Sequence, residues 1–220
     1  MKYEDRAHAG QELADRLTAW VAEAGLTDII VLALPRGGVP VAAAVARALG
    51  APLDILVARK IGAPGQPEYG IGAMAGDDAP VFDQDALTAL GLTEERLSVD
   101  VVRERTELRR REDLYRGGHP AADLRDRTVV LIDDGLATGI TARAALRHLR
   151  RQHPARLVLA VPVGSRRAVD RLQSEADVVV CLYQPPYFHA VGQWYADFEQ
   201  LSDRDVLRLL DEFSGGRHGR

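Results

Sequence analysis

Residues 128–141, reading TVVLIDDGLATGIT, constrain this chain more tightly than any other stretch. The apolar run 129–132 has the length and character of a fully buried strand. Two adjacent carboxylates, Asp133 and Asp134, follow it, then a small-residue turn, then a helix-like segment over 142–149. Successive strand residues point to opposite faces. Both acids can therefore serve one ligand only where the strand ends and the backbone turns, which Gly135 permits. Gly139 and the hydroxyls of Thr138 and Thr141 then fall at a helix start, where free N–H groups and the helix dipole favour a phosphate. One short loop thus offers acceptors for sugar hydroxyls beside a seat for a dianion, as a ribose 5-phosphate would need. The same residues would also serve a solvated Asp-Asp turn capping an ordinary helix, so the surrounding chain has to decide between the two.

That chain alternates strand and helix signals. Residues 3–24 read as an amphipathic helix with Leu13, Ala14, Leu17, Val21 and Ala24 at helical spacing, stopped by Gly25. The apolar run 29–34 reads as a buried strand ending in Pro35-Arg36-Gly37-Gly38, and 39–49 as an Ala-rich helix with Pro40 in its first turn. A strand over 53–58 leads into Arg59-Lys60. Residues 61–69 contain Gly62, Pro64, Gly65 and Pro67 and read as an exposed, mobile loop. Residues 69–75 and 80–82 suit a small hairpin, and 93–115 a highly charged helix ended by Gly117-Gly118. The rest reads as a strand (156–163), a helix (165–174), a strand (177–183), an aromatic segment (184–198) and a last helix (203–213), then a polar tail, 215–220, expected to be disordered. This order predicts an α/β architecture, with a mainly parallel central sheet flanked by helices in one domain over 1–214.

Composition removes several classes of function. A net charge of −4 provides no basic field for nucleic acid and nothing to draw the chain to an anionic membrane. No apolar run approaches the length of a membrane span, and the start, MKYEDRAHAG, lacks a signal-peptide core, so a cytoplasmic setting is the default expectation. Cys181 is the only cysteine, which excludes an intrachain disulfide and a cysteine-based zinc cluster; its apolar run points to a small buried hydrophobe rather than a nucleophile. Against a background of arginine, the only lysines are Lys2 and Lys60, and a lone internal lysine suits a site that needs a compact ammonium.

The segment IDDGLATGIT resembles the phosphoribosyl pyrophosphate (PRPP) signature of the type I phosphoribosyltransferases. That resemblance implies their fold, with a small hood (mainly 184–200) and a flexible loop. It also implies transfer of 5-phosphoribosyl from PRPP to a nitrogenous base or related nucleophile with release of pyrophosphate. Asp133 and Asp134 would hold the ribose, and Gly135, Leu136, Ala137, Thr138, Gly139 and Thr141 the 5-phosphate. Pro35-Arg36-Gly37-Gly38 joins strand to helix, where bare N–H groups and a guanidinium can approach an anion. It is similar to the family's pyrophosphate loop, which implies a non-proline cis peptide around Arg36–Gly37. Arg59 and Lys60 look like the basic position preceding the flexible loop, here 61–69. Glu68 is the loop's carboxylate and a candidate base, as much as a solvated surface acid. Tyr187, Phe188 and Trp194 could stack on an acceptor, or simply pack the last helix onto the sheet. The likeness also implies a homodimer, across which Arg109 or Arg116 could reach the pyrophosphate. It further implies Mg²⁺ held mainly by PRPP oxygens and water, with Asp133 and Asp134 as the carboxylates that could join it.

The resemblance has limits. Members acting on 6-oxopurines carry a carboxylate immediately before the Thr-Gly, where this chain has Ala137, so hypoxanthine and guanine fit less well. The whole chain resembles bacterial phosphoribosyltransferase-like proteins whose acceptor is undefined. Two other readings stand beside the transferase: a PRPP- or nucleotide-sensing regulator, and a hydrolase of PRPP or a nucleotide. Residues 70–75, GIGAMA, fit a dinucleotide fingerprint by letter, but a proline-rich loop precedes them and no amphipathic helix follows, so a nicotinamide site is rejected.

Overall fold

The computed structural model describes residues 3–214; the tail expected over 215–220 lies outside them. Five all-parallel strands make the central sheet in the order β2-β1-β6-β7-β8: Leu53–Ile55 (β2), Ile29–Ala33 (β1), Thr128–Ile132 (β6), Arg156–Val163 (β7) and Val178–Tyr183 (β8). Their apolar runs are continuous because both faces are covered. On one face Val31, Ala33, Val130, Ile132, Val158 and Ala160 pack under helices α1 (Arg6–Ala24) and α2 (Gly38–Leu49). On the other, Ile30, Leu32, Val129, Leu131, Leu157 and Leu159 meet α5 (Ile140–Arg150) and α6 (Arg166–Leu172). The period-2 alternation of a strand thus divides each run between two cores. Helix α7 (Asp203–Ser214) lies against α2 and β2. Among the described residues, no helix is long and apolar enough to cross a membrane.

The region after β2 departs from expectation. The strand expected over 53–58 is two: the chain leaves the sheet after Ile55, and Ala58–Ala63 (β3) pairs instead with Gln66–Ala75 (β4). Most of the expected loop 61–69 is therefore the end of an antiparallel hairpin, completed at its other edge by Val81–Phe82 (β5). Pro64 and Gly65 form the turn, Gly65 at φ +77°, a conformation glycine adopts without a steric penalty. The register slips between Ile61 and Ala63, so that Gly62 faces Gly70 and Pro67 falls within the irregularity, where a missing N–H costs the ladder little. Residues 70–75 lie inside β4, with no helix after them, in keeping with the rejection of a dinucleotide site.

Helix α3 (Gln84–Leu90), absent from the elements expected of the sequence, has its own punctuation: the Asp83 carboxylate accepts from the Ala86 N–H, and Gly91 closes it in the left-handed conformation. The charged helix α4 (Ser98–Arg116) begins later than expected, after a 3₁₀ turn at Glu95–Leu97. Cys181 is half-buried, its thiol donating to the Tyr183 carbonyl, and burial pushes its pKa up to about 12, the environment of an inert thiol.

Candidate functional site

Because β2 and β6 flank β1 on opposite sides, the connections after β1 and β6 leave the sheet in opposite directions and open a crevice between them. The two strands stay in register to Ala33↔Ile132, and the Leu34 N–H donates to the Ile132 carbonyl at 2.9 Å. Pro35-Arg36-Gly37-Gly38 and Asp133-Asp134 therefore emerge side by side. The Pro35–Arg36 peptide is cis, one bond before the position the family likeness suggested. A Cβ on Gly37 would lie 2.0 Å from Asp134 Oδ2, so only glycine lets this loop meet the acid pair. Gly38 is also confined, since a Cβ there would lie 2.7 Å from the Ile132 carbonyl oxygen.

The acid pair is electrostatically unsatisfied. Burial holds the Asp133 carboxyl well above its usual pKa, and the neighbouring Asp134 raises it further. Burial also raises Asp134, opposed by Arg6, whose Nε donates to Asp134 Oδ2 at 2.8 Å. The same guanidinium donates to the Glu199 carbonyl and lies over the Phe198 ring, 3.8 Å from its centroid. The Tyr195 hydroxyl donates to the Asp134 carbonyl oxygen at 2.5 Å and fixes the loop from above.

Arg6 belongs to a larger group. Arg6, Arg36, Arg59 and Arg111 line one cavity of about 450 Å³ together with Gly37 and Asp134. Each cation already has an acid: Arg36 with Asp203 at 3.7 Å, Arg59 with Glu104 at 2.6 Å, Arg111 with Glu107 at 2.7 Å. Such a set can hold a polyanion by exchanging carboxylates for phosphate oxygens. Lys60 follows Arg59 on β3, opposite Ala73, and its stem covers Gly70. Glu68 sits in β4.

Beyond Asp134 the loop is pinned to β7 and α6. The Leu136 N–H donates to Val163, Ser165 N–H donates back to Leu136, and Ser165 Oγ donates to the Ala137 carbonyl at 2.7 Å. Leu136 is buried in the core, and both its N–H and its carbonyl are taken up by these bonds. Gly135 is packed against Val191, and Ala137 and Thr138 are exposed. Gly139 caps α5 at φ +76°, and Thr141 stands in the first helical turn. A phosphate here would meet the N-terminal end of α5.

Of the aromatic candidates, Tyr187 is 82% exposed. Phe188 stacks on Trp194 with centroids 6.3 Å apart, and Trp194 meets Tyr183 edge-on. Phe188 and Trp194 thus pack in the cluster of Tyr3, Ala9, Val163 and Tyr195 rather than on the last helix, and Phe188 alone of the three also lines a cavity beside Ala137. Arg109 pairs with Asp77, and Arg116 with Asp54 and the Ile55 carbonyl, so neither is brought to the crevice within this chain.

Sequence reasoning missed Arg6 and Arg111, and saw Tyr195 only as part of the aromatic segment, not as the hydroxyl that holds the Asp134 carbonyl. For Arg6 a signal existed: it opens α1, where no acid occupies the first turn and a cation opposes the helix dipole. Nothing local marks Arg111 among the many charges of α4. Tyr3, expected within the first helix, instead forms a bridge with Tyr195 before α1 begins, and that bridge brings Arg6 to the site.

With this geometry in hand, the family model described as "Phosphoribosyl transferase domain" matches residues 5–198. The chain is 43% identical over 209 residues to the Mycobacterium tuberculosis H37Rv protein named "Putative phosphoribosyl transferase Rv0571c", a match covering 95% of this chain and 46% of that protein. The CDC 1551 strain carries a relative matching to the same extent. The chain thus spans about half the length of these curated relatives. It is also similar to the crystal structure of TT1426 from Thermus thermophilus, with a TM-score of 0.78 and 43% identity over 97% of this chain and 99% of that one.

Proposed function

This chain belongs to the phosphoribosyl transferase domain family, and on that premise we propose that its crevice binds PRPP and transfers the 5-phosphoribosyl group to a nitrogenous base or related nucleophile. The observation that carries the reading is the meeting of the loops after β1 and β6, with Gly37 against Asp134. The 5-phosphate lies on residues 135–141, the ribose hydroxyls on Asp133 and Asp134, and the pyrophosphate on Arg36, Gly37 and Gly38. Arg6, Arg59, Arg111 and Lys60 supply further positive charge.

The C1–oxygen bond breaks and pyrophosphate departs with its electron pair. Carboxylates at the ribose stabilise the positive charge left on the ring, and the guanidiniums stabilise the leaving group. The nucleophile attacks C1 from the opposite face, with inversion. Two adjacent carboxylates and a substrate rich in oxygens fit a hard divalent cation, and no cluster of three or more ligating side chains occurs among the described residues. Bound Mg²⁺ would supply Lewis-acid stabilisation of the pyrophosphate, with Asp133 and Asp134 the side chains available to hold it. By the same family likeness, the proposal extends to a homodimer working in the cytoplasm.

Calorimetric titration with PRPP, with and without Mg²⁺, tests the reading. Magnesium-dependent micromolar binding is expected, and absence of binding under both conditions would remove the chemistry while leaving the fold. Pyrophosphate release on adding an acceptor then separates a transferase from a protein that senses PRPP without consuming it.

A further inference from the structure

Arg6 differs from the other three guanidiniums of the crevice in what holds it. Arg36, Arg59 and Arg111 rest on Asp203, Glu104 and Glu107, acids that the PRPP reading does not use. Arg6 rests on Asp134, which the same reading assigns to the ribose, and the two side chains are only 11% and 13% exposed. Its Nε meets Asp134 Oδ2, the oxygen that Gly37 also closes in. A ribose hydroxyl that claims this oxygen must therefore displace Arg6. Nη1 donates to the Glu199 carbonyl at 2.9 Å, and Nη2 makes no hydrogen bond among the described residues.

The backbone beneath Arg6 is fixed. The Tyr3 hydroxyl donates to the Pro162 carbonyl, and the Ala196 and Asp197 N–H groups donate to the Tyr3 and Glu4 carbonyls at 2.7 and 2.8 Å. The Asp5 carboxylate accepts from the His8 N–H as the cap of α1. An exchange of partners thus needs only the Arg6 side chain to turn, with the Phe198 ring as its rest. Two kinds of ligand then meet unequal costs. A ribose phosphate without pyrophosphate that takes Asp134 Oδ2 strands a nearly buried guanidinium, and leaving a buried charge unpaired costs more than a new hydrogen bond contributes. A ligand that also carries pyrophosphate brings new oxygens into the cavity that Arg6 already lines with Arg36, Arg59 and Gly37.

Resting on the PRPP reading above, we propose that Arg6 is a specificity-determining residue. It holds Asp134 and yields it to a substrate whose pyrophosphate takes the guanidinium in exchange, which selects PRPP against ribose 5-phosphate.

Calorimetric titration of wild type, Arg6→Gln and Arg6→Lys with PRPP, ribose 5-phosphate and pyrophosphate, all in one magnesium buffer, tests this. Arg6→Gln should lose about tenfold in affinity for PRPP and for pyrophosphate while keeping or gaining affinity for ribose 5-phosphate. The preference for PRPP should therefore shrink by about tenfold or more, with partial recovery in Arg6→Lys, which keeps the charge. Parallel weakening toward PRPP and ribose 5-phosphate would make Arg6 a support for Asp134 and overturn the exchange, as would an unchanged preference in Arg6→Gln. The wild type supplies a second readout that does not depend on a variant folding: saturating PRPP should move the ¹⁵N–¹H resonance of Arg6 Nε, and an unmoved signal would also overturn the exchange. Failure of the wild type to bind PRPP would instead overturn the reading beneath it.

Discussion

Two pairs of aspartates in this molecule look alike in sequence and are treated in opposite ways by the fold. Asp83 and Asp85 open α3 at the surface; Asp133 and Asp134 end β6 in the crevice. Burial acts against the Asp83 carboxylate, but the Ala86 N–H and Arg171 outweigh it and hold its pKa below the usual value. For Asp133, burial and the adjacent Asp134 prevail and its pKa is raised, with one arginine, Arg6, shared by the pair. An acid whose charge is fully matched stabilises structure. An acid pair left short of positive charge is poised for a ligand that brings hydroxyls or a cation.

The sign of the pH dependence follows. A raised folded-state pKa means that the native chain holds the proton more tightly than the unfolded chain. Asp133 therefore costs stability progressively as pH rises from about its unfolded value of 3.8 through its folded one. Asp83 does the reverse: its contribution is present above 3.8 and lost as pH falls through its lowered value.

The largest expected effect breaks the crevice pair. Asp133→Asn with Asp134→Asn should weaken PRPP binding by about a hundredfold or more, since ribose hydroxyls lose charged acceptors. In magnesium-free buffer the same variant should melt higher than the parent at pH 7. PRPP affinity equal to the parent's would remove these acids from the ribose site. Next, Arg6→Gln should destabilise the fold by about 2 kcal/mol at pH 7, less than a fully buried pair would lose because the crevice admits water. Denaturant melts should show that loss shrinking toward pH 4; a loss independent of pH would mean that Arg6 acts only through packing on Phe198. Gly37→Ala, whose new methyl meets Asp134, should cost about tenfold in PRPP affinity by displacing the loop, visible by titration. Smallest is the surface pair. Asp83→Asn keeps the helix cap but not the charge on Arg171, so thermal stability at pH 7 should fall by well under about 1 kcal/mol, with PRPP binding unchanged. A large loss there would erase the contrast between the two pairs.

Much of the fold was legible because its signals are local. Continuous apolar runs marked β1, β6, β7 and β8, and Gly25, Gly117 and Ser165 punctuated helices where the structure has them. The acid pair, the glycine-rich loop after β1 and the threonine loop were likewise readable as single stretches. The hairpin was not, because Pro64, Gly65 and Pro67 say only that the chain turns; whether the flanks pair depends on β4 finding both β3 and β5 as neighbours.

By itself, then, the sequence determined the chemistry of each loop: which residues can accept, donate or turn. Only the tertiary structure decided which loops share a crevice. That choice rests on the strand order, which places β1 against β6, and on contacts such as Arg6 with Asp134 between residues 128 positions apart. Local pattern encodes conformation, whereas burial and charge pairing depend on what the folded chain brings in from elsewhere, and those two quantities set the properties of this site.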